Sequence, residues 1–300
     1  MTEHHMTPGE WLLLGVLSIV WGASFFFFKI LVVELPPFTL VLGRVALAAL
    51  ALHLVLVARG TPFRLPAGQA GPFLLLGLLN NVAPFVLIAF GEIHIASGLA
   101  AILNATTPLF TVLVAHVFTH EKLTPAKGVG LLLGLAGVVV LTGPGALHGL
   151  GGNLTGELCC LLAAISYGFG ANYARRFSKM PPLTVAAAQS TAGIVWLLPV
   201  AALIDHPWTL ASLSAQTWAA WAGLALPSTA FAYLMFFRLL RTVGATNLVL
   251  VTLLVPVSAL LLGALFLGEA VTLRALAGMA LIGLSLAAID GGLWRRLRPI

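Results

Sequence analysis

The sequence predicts an all-α membrane protein: ten transmembrane helices built from two inverted five-helix repeats. Three observations carry this. Of the 300 residues, 60% are hydrophobic and only 8% charged, with a mean hydropathy of +1.06; soluble domains carry about 25% charged residues. So little charge cannot cover a water-soluble globule of this size. The apolar residues fall into runs close to the about 20 residues that a helix needs to cross a bilayer. Finally, the pattern Pro-x12-Glu-x2-Thr runs from Pro108 to Thr124 and again from Pro256 to Thr272, an offset of 148 residues.

Ten runs can be drawn: 11–33, 37–58, 70–91, 95–118, 126–143, 155–175, 183–204, 214–237, 243–267 and 273–290. The first continues from Trp11 as "LLLGVLSIVWGASFFFFKILVV", too long for a signal-peptide core, so it is expected to stay on the chain. The breaks carry Pro, Gly or charge, which end helices or prefer water. They read "ELPP" at 34–37, "ARGTPFRLPAGQ" at 58–69, "THEKLTPAK" at 119–127 and "GPGALHGLGGN" at 143–153. In the second half they read "RRFSKMPP" at 175–182 and "DHPWTLASLS" at 205–214. The glycine-rich break divides the chain into residues 1–146, with helices 1–5, and residues 147–300, with helices 6–10, inside one transmembrane domain.

The net charge of +6 is not a nucleic-acid signature, because the basic residues lie scattered between apolar runs. Arg59, Arg64, Lys122, Lys127, Arg175, Arg176, Lys179, Arg238, Arg241, Arg295, Arg296 and Arg298 all follow even-numbered runs, leaving only Lys29, Arg44 and Arg274. By the positive-inside rule the even-numbered ends, and both termini, are cytoplasmic. A wrong count of runs would scramble this alternation.

The repeat extends beyond the opening pattern. At an offset of 148, Leu113 matches Leu261, Phe118 matches Phe266, Gly130 matches Gly278 and Leu133 matches Leu281. Near 146, Trp21 and Gly22 match Tyr167 and Gly168, Lys29 matches Arg175, and Phe85 matches Phe231. Near 145, Pro36, Pro37 and Thr39 match Pro181, Pro182 and Thr184. Halves of five spans in series cross the membrane in opposite senses, the inverted arrangement many secondary transporters use, with the solute near the midplane between halves.

Together, "VWGASFFFFKIL" in span 1, "GRVALAAL" in span 2 and Pro-x12-Glu-x2-Thr before a glycine-rich span in each half resemble the ten-helix EamA-type branch of the drug/metabolite transporter superfamily. The resemblance covers essentially the whole chain. It implies a carrier of small metabolites, often an exporter of amino acids and related compounds, and similarity to a subgroup that exports aromatic amino acids. In the second half Tyr167 replaces the Trp, and the glycine-rich run is thinner in span 10.

Several intramembrane residues are candidates to touch a solute. In span 4, Asn104, Thr107, Pro108 and Thr111 share one helix face, extended by Ser97, Ala101 and Ala115. The matching face of span 9 holds Ala245, Val249, Thr252, Pro256, Ala259 and Gly263. These faces either line a wet central path, with Pro108 and Pro256 bending the helices there, or pack closely with each Thr bonded to its own helix. Span 3 carries Asn80, Asn81 and Pro84, where hydrocarbon penalises exposed amides; a cavity or an inter-helix bond would each satisfy them. Trp21 and Tyr167 lie midspan, away from the interfacial belt, and with Phe25, Thr229 and Tyr233 complete the substrate-binding set. Stacking on a solute and plain packing are both open for the aromatic members.

Arg44 is the base well inside a span. It is expected to pair with a carbonyl at a helix end or hold a shape-determining bond, with a solute carboxylate as the alternative. Glu121 and Glu269 end spans 4 and 9 on opposite sides and are expected to be structural, bonding a turn or the start of another helix. The other carboxylates, Glu3, Glu10, Glu34, Glu92, Glu157, Asp205 and Asp290, lie near span ends or in tails and loops. With none midspan, facilitated diffusion or weak coupling of a net-neutral solute is expected. His53 and His116 are within spans and are expected to bond neighbouring helices.

The competing readings are a passive channel and an intramembrane enzyme. H-E-x-x-H, G-x-S-x-G and the G-x-x-x-x-G-K-[ST] loop are all missing from the chain. Cys159 and Cys160 are adjacent, which suits neither a disulfide nor a metal site. No cofactor, metal or nucleic acid is expected; the partners are a small solute and the bilayer. "GLLLG" at 130–134 is a G-x-x-x-G that fits packing within the bundle as readily as a dimer face, and a monomer is consistent with the sequence.

Overall fold

A computed structural model of the chain describes residues 7–61, 63–119, 124–142, 152–210, 212–242 and 250–289. Among them the regular structure is helical throughout. The helices are α1 (Pro8–Leu31), α2 (Pro37–Ala58), α3 (Ala70–Gly77), α4 (Ala83–His94), α5 (Ser97–Asn104), α6 (Thr107–Thr119) and α7 (Pro125–Thr142). They continue with α8 (Gly152–Ala174), α9 (Pro182–Val200), α10 (Ala215–Ala225), α11 (Ala232–Thr242), α12 (Leu250–Leu267) and α13 (Leu273–Ile289). Seven helical stretches are long and apolar enough to cross a membrane, and three shorter apolar helices cover 127–140, 254–267 and 273–285. Glu121, Lys122, Ala245, Val249, the glycine-rich linker at 143–151 and both termini lie outside the described residues, and with them the expected side of the termini.

Local chemistry sets the helix boundaries. Thr7 and Glu10 form a reciprocal capping box at the start of α1. Proline opens α1, α2 and α9 at the first or second helical position, where its missing N–H costs nothing. α3 and α4 form one apolar stretch interrupted by a π turn at Leu78–Val82, with Pro84 just beyond it. Proline cannot donate to the carbonyl one helical turn back, so the ladder has to be re-drawn there. The carbonyl of Leu79, inside this turn, accepts from the Ser166 hydroxyl at 2.9 Å. α10 and α11 are likewise joined through a π turn at Leu226–Phe231, which contains Pro227. Span 4 breaks at Ala105 and Thr106, and Pro108 is the second residue of the following α6. Pro256, by contrast, lies inside the unbroken α12.

Helix pairing has a regular pattern. α1 packs on α10 and α12, while α8 packs on α4 and α6. α2 packs on α10, while α9 packs on α3. α2 also pairs with α9, and α7 lies along α13. Taken as whole spans, with α3 and α4 answering to α10 and α11 and with α5 and α6 answering to α12, these named pairs exchange between the halves.

Two close crossings repeat in the same way. A Cβ on Gly22 would meet the Ser258 hydroxyl, Val255 O at 2.9 Å and Ala259 N at 3.0 Å. A Cβ on Gly168 would meet the Phe110 carbonyl carbon at 2.9 Å and Thr111 N at 3.0 Å. Phe110 and Thr111 lie at the same 148-residue offset from Ser258 and Ala259. The core of Leu, Ile, Phe and Ala lies between these pairs. Large apolar side chains such as Leu12, Val57, Val139 and Leu265 face outward, as a lipid-facing surface requires.

Candidate functional site

Arg44 projects from α2 into the bundle and is 5% exposed. Its guanidinium carbon lies 3.6 Å from the centroid of the Phe85 ring and 5.0 Å from that of Phe28. Its Nε donates to the Thr229 hydroxyl at 3.0 Å, and that hydroxyl donates to the Leu224 carbonyl at 2.8 Å. That hydrogen bond is made to a side-chain hydroxyl in the second π turn. Among the described residues Arg44 makes no ion pair. A desolvated guanidinium over an aromatic face gains about 2 kcal/mol, well short of the several kcal/mol that burying an uncompensated charge costs.

The neighbours of Arg44 are polar. The hydroxyls of Tyr167 and Tyr233 and the carboxyl of Glu92 lie within its electrostatic range. Tyr233 donates to Asn81 Oδ1 at 3.3 Å and lies within hydrogen-bonding reach of Gln189. Asn81 is fully buried, and its Nδ2 has no hydrogen-bond acceptor among the described residues. Tyr167 meets Phe85 edge-on at 6.4 Å. The site therefore draws on α2, the first π turn, α4, α8, α9, the second π turn and α11.

Two pairs of these residues stand on corresponding elements of the two halves. Asn81 and Thr229 are 148 residues apart and occupy the two π turns. Arg44 and Gln189 are 145 apart, the offset that relates Thr39 to Thr184 on the same two helices. The polar cluster therefore sits where the halves meet. Gln189, 5% exposed, was not singled out in the sequence; it sits in an Ala-rich stretch, and only its register with Arg44 marks it.

The other candidates are placed as follows. Asn80 turns its Oδ1 against Gly170 of α8. Thr107 and Thr111 donate to Asn104 O and Thr107 O, carbonyls of their own stretch, at 2.7 and 2.9 Å. Asn104 has a buried Oδ1 with no donor among the described residues. Phe25 is buried in the core. Trp21 is half-buried, 5.5 Å from Phe236. Thr252 is half-buried on α12. Asn172, not singled out in the sequence, donates to Thr111 O and Gly168 O, both at 2.9 Å, and ties α8 to α6.

One end of the bundle is tied by charge. Glu269 accepts from Ser97 N and Ser97 Oγ, both at 2.8 Å, and from Gly98 N at 3.2 Å, capping α5. Asp205 accepts from Thr39 N at 2.6 Å, in the first turn of α2. Glu34 accepts from Ser214 N at 3.1 Å, at the start of α10. Hydrogen bonds from Thr217 and Ser214 hold the exposed Glu34 carboxyl below the ordinary carboxylate range. Each carboxylate meets the positive end of a helix dipole. Lys29 complements them at a helix C-terminus, donating to Glu92 O at 2.6 Å and Ile95 O at 2.8 Å. That contact accounts for a lysine outside the set that follows the even-numbered runs.

The profile of the EamA-like transporter family matches the chain twice, over residues 9–143 and 154–289. The uncharacterized transporter YoaV of Bacillus subtilis is 26% identical over 278 residues, spanning 90% of this chain and 93% of YoaV. The uncharacterized inner membrane transporter YedA of Escherichia coli K12 is 31% identical, over 85% of this chain and 82% of YedA. A probable terminal-alkyne amino-acid exporter of Streptantibioticus cattleyicolor is 30% identical, over 89% of this chain and 88% of that protein. A crystal structure of a protein 22% identical in sequence superposes with a TM-score of 0.68, covering 98% of this chain and all of that one; it shares the fold. The family and these named relatives are described as transporters rather than enzymes. With each half of its helical body inside one copy of the family profile, this multi-pass membrane protein belongs to the EamA-like transporter family.

Proposed function

We propose that the chain exports amino acids by alternating access, with Arg44 receiving the solute's carboxylate at the junction of the two halves. What carries the reading is Arg44 itself: a buried guanidinium with one hydrogen bond, to Thr229 Oγ1, and no carboxylate partner among the described residues. A carboxylate accepts well from a guanidinium fork and removes the cost of the uncompensated charge. Tyr233, Asn81 and Gln189 supply further polar groups beside it. Half-buried Tyr167 offers an aromatic ring nearby, which suits an aromatic side chain on the solute.

In this reading residues 1–146 and 147–300 are the two rocking units of a ten-helix inverted repeat. The doubled family match and the exchangeable helix pairing support it. The end tied by Glu34, Asp205, Glu269 and Lys29 is the outer end, and both termini are cytoplasmic, in keeping with the Lys and Arg after even-numbered runs. The name of the Streptantibioticus relative supports the solute class.

Counterflow in proteoliposomes tests this. Saturable exchange of a labelled amino acid, with aromatic amino acids among the competitors, is expected. Arg44→Lys should weaken competition by carboxylates selectively, because an ammonium keeps the charge but loses the planar fork. Flux that never saturates would point to a channel. Consumption of the solute without its appearance on the other side would point to an enzyme.

A further inference from the structure

Glu92 lies near the end of α4, where the sequence suggests a solvated span terminus. It is instead 0% exposed, and neither carboxylate oxygen receives a hydrogen bond from the described residues. The burial has a local cause. At the crossing of α4 and α8, a Cβ on Gly91 would meet Gly156 O at 3.0 Å, and one on Gly156 would meet Gly91 O at 2.8 Å. The two backbones touch, and water is shut out beside them.

The charged and titratable groups around Glu92 come from each helix packed on α4. Lys29 faces it from α1, Arg44 from α2 and Cys160 from α8, with Glu157 one turn before Cys160; Glu269 reaches in after α12, and α5 brings no charged residue. None of these neutralises it by direct contact. The Lys29 ammonium is bound to two backbone carbonyls, one of them that of Glu92 itself. The Glu269 carboxylate caps α5. Arg44 is bonded to Thr229. A bare carboxylate here would cost several kcal/mol, and binding a proton removes most of that cost.

The geometry points to Glu92 as a proton-carrying site that couples solute movement to protons. The carboxyl holds its proton while the ends of α1, α4 and α5 are tied together. Once the proton leaves, the new carboxylate competes with Glu92 O and Ile95 O for the Lys29 ammonium. That contact is what fastens α1 to the end of α4, so losing the proton unties this end. With the outer end tied the proton leaves toward the inside, and the untied end takes one up from outside before it closes again, so protons move inward as solute moves outward. This coupling rests on the transport reading for the exchange stoichiometry and for which end is the outer one.

Two measurements decide it. In proteoliposomes under a clamped membrane potential, a gradient of one pH unit should drive uphill accumulation of a transported amino acid, up to about tenfold for one-to-one exchange. Glu92→Gln cannot release a proton, so it should lose that accumulation, and its counterflow should slow because the outer end stays tied. Wild-type counterflow with no response to the gradient overturns the coupling and leaves the export reading standing. If no amino acid exchanges at all, the export reading fails, and infrared spectroscopy still decides the proton site. Wild-type protein in lipid at neutral pH should show a protonated-carboxyl band that is absent from Glu92→Gln. Where that variant does not fold, isotope labelling of glutamate carboxyls identifies the band in wild type. Absence of a protonated glutamate band at neutral pH overturns the proposal.

Discussion

The Glu269 carboxylate reaches across the fold to cap the helix that begins at Ser97, with three contacts of 2.8, 2.8 and 3.2 Å. The two residues are 172 positions apart in sequence and belong to different family repeats. Gly263 makes the approach possible: a Cβ there would collide with Glu269 Oε2 and come within 2.9 Å of Ser97 Oγ.

Removing the cap grades the interaction. Glu269→Ala strips all three acceptor contacts and is expected to destabilise the fold by about 1–2 kcal/mol, the range for loss of a helix N-cap. Ser97→Ala keeps both backbone contacts and should cost clearly less. Glu269→Gln keeps one acceptor oxygen and should fall between them. Thermal unfolding in detergent reads the order; equal midpoints for Glu269→Ala and wild type would rule the cap out as a stabilising element.

Much of this architecture is legible in the chain. Pro37 and Pro182 open helices α2 and α9 close to where the apolar runs begin, and Pro84 and Pro108 mark interruptions. What is not legible depends on contacts between distant segments. Which helix start each of Glu34, Asp205 and Glu269 would cap is decided across 166 to 180 residues. Glu92 stands at the end of an apolar run, and only the glycine crossing with α8 buries it. Gln189 sits in a run of small residues, and its importance comes from the register of α9 against α2 and α11.

Glu34 gives this end of the bundle an acid-sensitive contact. Its pKa is lowered in the fold by hydrogen bonds from Thr217 and Ser214. A group whose folded pKa is depressed stabilises the fold above its unfolded pKa, and that contribution is lost as pH falls through the folded value. Wild type should therefore be more stable than Glu34→Gln at neutral pH. The two should converge as pH drops below the ordinary carboxylate range. The group is fully exposed, so the difference should also shrink in high salt. A gap between the two midpoints that stays constant down to strongly acid pH would contradict the assignment.

The equivalent crossings at Gly22 and Gly168 predict a paired response. A methyl group at either site meets backbone atoms at 2.9–3.0 Å, which cannot swing aside as a side chain can. Gly22→Ala and Gly168→Ala should each destabilise the fold by about 1–3 kcal/mol through overpacking. Gly15→Ala is the control on the same helix as Gly22, since nothing lies within 4 Å of a Cβ there; alanine should be neutral or stabilising by up to about 1 kcal/mol. Thermal midpoints of the three variants, measured side by side, check this. If Gly22 is sensitive and Gly168 is not, the two crossings do not do the same work in the two halves. If both shift and Gly15→Ala does not, the halves are held to each other by one contact used twice.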